Sequence, residues 1–164
     1  MNASRGSSVR FVCKGTHRAP PDASRTPHTP ETQVTFQRHF SGAPWESKIG
    51  YCRALRAGNR IFVTGTAPVD PDGSVHAPGD AYAQTLRCFA IIREALAGLG
   101  AGVEHVTRTR MFVTDIDRWQ EYGRAHGEIF QDHPPATTMV EIRRLIHPDM
   151  LVEIEADAVV GEDV

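Results

Sequence analysis

Two carboxylates that could take part in acid–base chemistry lie near the end of the chain. Residues 151–160 read LVEIEADAVV, and this alternation predicts a strand on which Glu153 and Glu155 share one face. A carboxylate can act as a general base on water when burial raises its pKa. A solvated one more often pairs with a neighbouring arginine. For Glu153 the sequence leaves both roles open.

Tyr51 and Arg53 could add a hydroxyl and a cation to such a site. They are two residues apart in a strand-like segment, so they should face the same side. Tyr51 could orient a ligand or pack in an interface, because tyrosine has a large apolar body and one polar tip. Arg53 could bind an anionic group, as could Arg108 and Arg110. All three arginines could equally lie on a solvated face or in ion pairs between subunits.

Metal and cofactor chemistry are not indicated by the sequence. His126 lies on the apolar side of a predicted helix, where a lone histidine is typical of a core residue. The remaining histidines and carboxylates lack metal-site spacing, the three cysteines include no CxxC pair, and there is no glycine-rich phosphate loop. We therefore predict no metal and no cofactor.

Two helices are predicted to support the candidate residues. The first begins at Asp80, because apolar residues then recur at spacings of three and four until Gly98. The second begins at Asp117, with Gln120 in the capping-box position. Its predicted buried face consists of Trp119, Tyr122, His126 and Phe130.

Strands are predicted on both sides of these helices. The strand-like segments are 35–40, the two arms around a Gly58-Asn59 hairpin turn, 106–113, 137–142 and 151–160, whereas 41–46 reads as a turn. The predicted fold class is α+β, with two helices on one face of a mixed sheet. The other face would be uncovered in a monomer, so we expect self-association.

Composition separates the two ends of the chain. Residues 1–30 carry five basic residues and one acidic residue, a net charge of +4. Because the whole 164-residue chain has a net charge of −2, the rest of the chain has a net charge of −6. We predict a single domain at 33–164. Residues 1–32 would be a disordered extension or follow from a start codon placed too early, with a targeting segment as the alternative. The acidic body makes nucleic acid an unlikely partner. No apolar run could span a membrane, and the cysteine usage favours the cytoplasm.

Three segments together resemble one family. GNRIFVTGTAPVDPDG, VEHVTRTRMFVTDIDRW and PPATTMVEIRRLIHPDMLVEIEADAV are similar to the central hairpin, the helix–strand–helix segment and the C-terminal signature of RidA/YjgF proteins. The resemblance spans about residues 41–160. It implies a chorismate-mutase-like fold and a homotrimer with a small-molecule cleft at each subunit interface. Members of the family are described as enamine/imine deaminases and, in some cases, as endoribonucleases.

The resemblance also assigns roles to individual residues. Tyr51 matches the family tyrosine, Thr64 the hydroxyl position before the strand-end glycine Gly65, and Glu153 the carboxylate that positions water. Because the preceding loop is one residue longer here, Glu155 is an alternative to Glu153.

One family residue does not carry over. Active deaminases have an arginine for the substrate carboxylate where this chain has Thr137, and often a cysteine where it has Met139. A threonine cannot make the bidentate, charge-assisted pair that an arginine makes. The stretch around His126 resembles relatives that also lack the arginine, so His126 could shape an altered pocket.

The predicted function is hydrolysis or deamination of a small imine, enamine or related metabolite, with Glu153 as the catalytic residue. Loss of the arginine leaves enzymatic activity uncertain. The alternative is a non-catalytic trimer that binds a small metabolite. Endoribonuclease activity is a further alternative, against which the acidic body counts.

Overall fold

The computed structural model of the protein describes residues 34–161. The predicted N-terminal extension, residues 1–32, lies outside the described residues. No helix within 34–161 is long and apolar enough to cross a membrane. The elements in chain order are β1 (Phe36–His39), α1 (Pro44–Ile49), β2 (Ala54–Ala57), β3 (Arg60–Thr66), α2 (Ala81–Ala97), β4 (Val106–Val113), α3 (Trp119–Phe130), β5 (Ala136–Glu141) and β6 (Val152–Val159).

The six strands form one mixed sheet in the order β1-β2-β3-β6-β4-β5. All neighbours are antiparallel except β4 and β5. A parallel pair needs a crossover connection, which α3 supplies. The last strand, β6, lies between β3 and β4 and is paired along both edges. The predicted α+β class with a mixed sheet is confirmed.

The two long helices cover one face of the sheet. Helix α2 packs on β3 and β6, and α3 packs against α2. The pleat of β6 sends Val152 and Ile154 into this core, while Glu153 and Glu155 lie on the opposite face. Burying apolar side chains contributes about 25 cal/mol per Å² of area removed from water, so the alternation fixes which face meets the helices.

The opposite face of the sheet is uncovered within the described residues. Large apolar side chains stay 40–58% exposed there, namely Phe36, Phe62, Val140 and Val159. Charged residues lie among them: Arg110 contacts both Glu155 and Asp157.

Residues 41–46, predicted as a turn, lead instead into the short helix α1. Pro44 occupies its first turn, where a missing N–H costs nothing. Gly50 ends it with φ of 84°, a left-handed conformation that favours glycine. Six residues are too few to show a helical period, which is why the sequence pattern did not reveal this element.

The start and the buried face of the second predicted helix also differ from expectation. A 3-10 turn at Ile116–Arg118 precedes α3, and the Asp115 carboxylate, not Asp117, caps it. Trp119 is 55% exposed. It is the first residue of α3, and helical side chains tilt toward the N-terminus, so no preceding turn of α3 lies beneath it.

Helix α2 provides a test of local stability. Asp80 caps it, since one Asp80 carboxylate oxygen accepts the Ala83 N–H at 2.9 Å. We expect Asp80→Ala to lower the free energy of unfolding by about 1 kcal/mol, because that N–H loses its partner. Asp80→Ser, which retains a capping oxygen, should stay within a few tenths of a kcal/mol of wild type. Urea unfolding at one fixed protein concentration measures both, and equal stability of all three proteins would contradict the role of the cap.

Candidate functional site

Glu153 lies beside a β-bulge in β3. The register pairs Val63 with Ala156 and then Thr66 with Ile154, so three steps along β3 match two along β6. A Cβ built on Gly65 would lie 2.5 Å from Glu153 Oε1 and 3.1 Å from its carboxyl carbon. Glycine at this position therefore leaves the space that the Glu153 carboxylate occupies.

The half-buried position of Glu153 changes its acidity. Burial raises the pKa of Glu153 above its ordinary value, and the negative charge of Glu155 raises it further. The positive charge of Arg53 partly opposes these two effects. A carboxylate of raised pKa is a better proton acceptor than an ordinary one once it is ionised.

Arg53 connects Tyr51 to the bulge. Its Nη1 donates to the Gly65 carbonyl at 3.1 Å and to Thr66 Oγ1 at 3.4 Å, and its Nη2 donates to the Tyr51 hydroxyl oxygen at 3.4 Å. The guanidinium carbon lies 5.6 Å from the centroid of the Tyr51 ring. Tyr51, Arg53, Gly65 and Glu153 thus form one cluster within a single chain.

Arg53 is not a solvated surface residue, because only 8% of it is exposed. Its Nε lies 3.9 Å from the buried Glu46 carboxylate and has no hydrogen-bond partner among residues 34–161. Burial alone would raise the pKa of Glu46, but hydrogen bonds from Ser41 and Gly42, with the charge of Arg53, hold it below its ordinary value. The Glu46 carboxylate therefore places an opposite charge near Arg53 without a hydrogen bond to its Nε.

Thr64 lies on the uncovered face next to the bulge. Its hydroxyl donates to the Cys52 carbonyl at 2.9 Å. Since a hydroxyl has a single proton to donate, the Thr64 oxygen is left as an acceptor toward any ligand.

Glu155, the alternative to Glu153, has a different environment. Its side chain is 40% exposed and lies 3.4 Å from Arg110 Nη1. Arg110 Nη2 binds the next carboxylate on the same face, Asp157, at 2.8 Å. Glu155 and Arg110 thus take part in an ion-pair network within one chain, and not in the ion pair between subunits that was one expectation for Arg110.

Thr137 and Met139 lie on the other side of the sheet from Glu153. Both are on the edge strand β5, opposite Thr109 and Met111, which face the helices. Glu153 belongs to the row of Phe112 and Val140 on the uncovered face. A single chain therefore does not bring Thr137 or Met139 together with Glu153.

A second polar cluster lies at Thr137. Thr137 Oγ1 is 2.7 Å from Thr109 Oγ1, which is 3.0 Å from His126 Nε2. His126 is half-buried, and burial lowers its pKa. Thr109 was not singled out from the sequence, because a threonine in a strand has no distinctive pattern.

Two surface hollows of the described chain lie away from Glu153. One is formed by the end of α2 and residues 101–104, and another by Trp45, residues 69–78 and residues 146–150. Within residues 34–161, no group of three or more His, Cys, Asp or Glu side chains is placed to hold a metal ion.

Known proteins match the same part of the chain that forms the sheet and its helices. A family model described as endoribonuclease L-PSP matches residues 42–160. An uncharacterised protein of Streptomyces coelicolor is 37% identical over 130 residues, covering 79% of this chain and 96% of the relative. A protein named 3-aminoacrylate deaminase RutC, from Acinetobacter baylyi, is 32% identical over 108 residues, covering 66% of this chain and 85% of the relative.

Solved structures agree with the sequence comparisons. A YjgF-family protein from Mycobacterium tuberculosis is 43% identical, with a TM-score of 0.69 over 77% of this chain and all of the other. The YjgF gene product of Escherichia coli is 31% identical, with a TM-score of 0.61 over 66% of this chain and 87% of the other. The matched residues, the sheet and its two covering helices lead to one conclusion: the chain belongs to the RidA/YjgF family.

Proposed function

We propose that the protein hydrolyses a small imine or enamine to a carbonyl compound and ammonia, with Glu153 as the catalytic base. The observation that carries this proposal is the half-buried Glu153 carboxylate, with its raised pKa, at the Gly65 bulge. A relative named 3-aminoacrylate deaminase, 32% identical to this chain, supports the reaction class.

The reaction needs one well-placed carboxylate. The imine nitrogen first takes a proton from solvent. Glu153 then takes a proton from water as the water oxygen bonds to the imine carbon, and the carbon–nitrogen π electrons become a lone pair on the nitrogen of a neutral carbinolamine. Glu153 returns its proton to this nitrogen and accepts the hydroxyl proton as the carbon–nitrogen bond breaks and the carbonyl forms. Ammonia leaves and Glu153 releases the last proton to solvent, so one water is consumed and Glu153 ends ionised, as it began. The nearby Arg53 charge favours the ionised state between turnovers.

The site is completed by self-association in this proposal. The uncovered sheet face exposes Phe62, Val140 and other large apolar side chains, which need a partner surface. A homotrimer, the assembly that the family resemblance implies, would cover these faces and enclose Glu153 between neighbouring chains. A closed cleft excludes water and strengthens the electrostatic interactions inside it.

A mass measurement tests the assembly. Light scattering after size exclusion should give about three times the chain mass of 18.1 kDa. Phe62→Lys should shift the protein to smaller species, because Phe62 lies on the uncovered face opposite Asp157, which could pair with the lysine in a monomer. Trp119→Lys makes the same change on the helix side and should leave the mass unchanged. A monomeric wild type would refute the trimer.

Substitution of Glu153 tests the chemistry. We expect Glu153→Gln to lower imine hydrolysis at least 100-fold, since general acid–base groups contribute roughly 10²–10⁴-fold. Wild-type activity should rise with pH through an apparent pKa above the ordinary 4.5 of Glu153, because only the ionised carboxylate accepts a proton. Glu153→Gln should lose this pH dependence. The assay uses imines of amino acids and uncharged imines of equal length. Each imine is generated in situ, and semicarbazide competes with the protein for it.

Glu155→Gln is the matched control, because Glu155 lies on the same strand and face but in the Arg110 network. It should retain activity within a few-fold of wild type. If Glu155→Gln abolishes hydrolysis and Glu153→Gln does not, the assignment of the base is wrong.

Gly65 allows a test that separates position from folding. Gly65→Ala should push the Glu153 carboxylate away, because the new Cβ would lie 2.5 Å from Oε1. We expect activity to fall at least tenfold with little loss of stability, since the end of a flexible side chain can move. In a Glu153→Gln background the same change should cause no further loss. Additive losses in this double-mutant cycle would show that Gly65 acts independently of Glu153.

A metabolite-binding protein without catalysis is the second candidate. It is favoured by Thr137, because its neighbouring groups Thr109 and His126 supply no fixed cation for a substrate carboxylate. Wild-type protein that binds small ligands but leaves every imine unchanged would support it. Ribonuclease activity is disfavoured by Glu153, Glu155 and Asp157 on one face, which would repel phosphates.

A further inference from the structure

Three neutral polar side chains connect the helix-covered core to the sheet edge. His126 on α3, the fully buried Thr109 on β4 and the exposed Thr137 on β5 are joined by contacts of 3.0 and 2.7 Å. Each distance is within hydrogen-bonding range. The three residues therefore form a continuous relay that ends at Thr137, the member of the relay most accessible to a ligand.

The surroundings of His126 favour its neutral imidazole form. Its ring lies 5.7 Å from Phe89 of α2 and 4.7 Å from Phe130 of α3, centroid to centroid. Burial lowers its pKa. Among residues 34–161, no charged side chain hydrogen-bonds to His126, Thr109 or Thr137, and Thr109 is the polar group that β4 presents to the ring.

A neutral imidazole allows the hydrogen bonds of this relay to run in either of two directions. If His126 Nε2 accepts, Thr109 donates to it and Thr137 donates to Thr109, which leaves Thr137 as an acceptor. If Nε2 carries the proton, each hydroxyl donates outward and Thr137 becomes a donor. In both directions the relay presents a polar atom without net charge.

We propose that this relay binds an uncharged polar group of the ligand, such as an amide or a carbonyl, at the Thr137 hydroxyl. Thr137 contacts the ligand, while Thr109 and His126 are positioning residues that set the direction of the hydroxyls. A carboxylate is disfavoured there, because one neutral hydroxyl does not repay the removal of a charge from water. The inference rests on the proposed function in assuming one shared cleft, and it narrows the substrate class to small uncharged imines.

Butyramide and butyrate are matched probes of this selectivity, since they differ mainly in charge. We expect NMR titration of the wild-type protein to give at least tenfold tighter binding of butyramide. Thr137→Val, which replaces the hydroxyl with a methyl group, should weaken butyramide binding about tenfold and leave butyrate binding unchanged. Thr109→Val should weaken butyramide binding several-fold although Thr109 does not touch the ligand, and Thr109→Ser should retain it.

The His126 imidazole provides a measurement that would not change if Thr109 and His126 had only a structural role. Butyramide should shift the ¹⁵N resonance of His126 Nε2 in the wild type and in Thr109→Ser, because the relay transmits the direction of the new hydrogen bond. The shift should disappear in Thr109→Val. Thr137→Val changes an exposed side chain, so it remains informative should the buried Thr109→Val protein fail to fold.

Failure of the relay and failure of the proposed function give different results. Equal binding of butyramide and butyrate, or butyramide binding that Thr137→Val leaves unchanged, would overturn the relay even if Glu153→Gln abolishes hydrolysis. Amide selectivity that depends on Thr137, found in a protein that leaves every imine intact, would uphold the relay and remove the deaminase proposal.

Discussion

Pairing of β6 along both of its edges is the constraint on which the rest of the structure depends. With β3 and β4 on either side, its pleat must send Val152 and Ile154 under α2 and place Glu153 on the opposite face. A slip of one residue would bury the carboxylates and expose the apolar residues. The hydrophobic effect that stabilises the core therefore also fixes the position of the candidate base.

Two local features refine this position. The amide of the buried Gln84 on α2 donates to the Asp149 carbonyl and accepts from the Leu151 N–H, both at 2.8 Å, which ties the helix to the start of β6. The bulge at Gly65 then removes a side chain where the Glu153 carboxylate needs space. Core packing sets the face on which Glu153 lies, whereas its half-buried position and the neighbouring charge of Glu155 raise its pKa.

Sequence pattern was sufficient for features that repeat along one segment. The alternation of 151–160 and the stripe after Asp80 predicted β6 and α2, because each has a regular period. The bulge and the relay depend on residues far apart in the chain: Thr109 lies 28 positions from Thr137, and Gly65 approaches Glu153 only through the sheet. No local pattern encodes such pairs. The family resemblance supplied Thr64, Gly65 and Glu153, but it carried no information on Thr109.

The two polar clusters differ in charge as well as in place. On the uncovered face, Arg110 engages Glu155 and Asp157 and leaves Glu153 to the weaker influence of Arg53. On the helix side, the relay that ends at Thr137 has no net charge. One chain holds these clusters on opposite faces, and Thr137 lies on an edge strand. A ligand that touches both clusters would have to lie between two copies of the chain. The charge of the substrate that the protein accepts therefore depends on how the copies assemble.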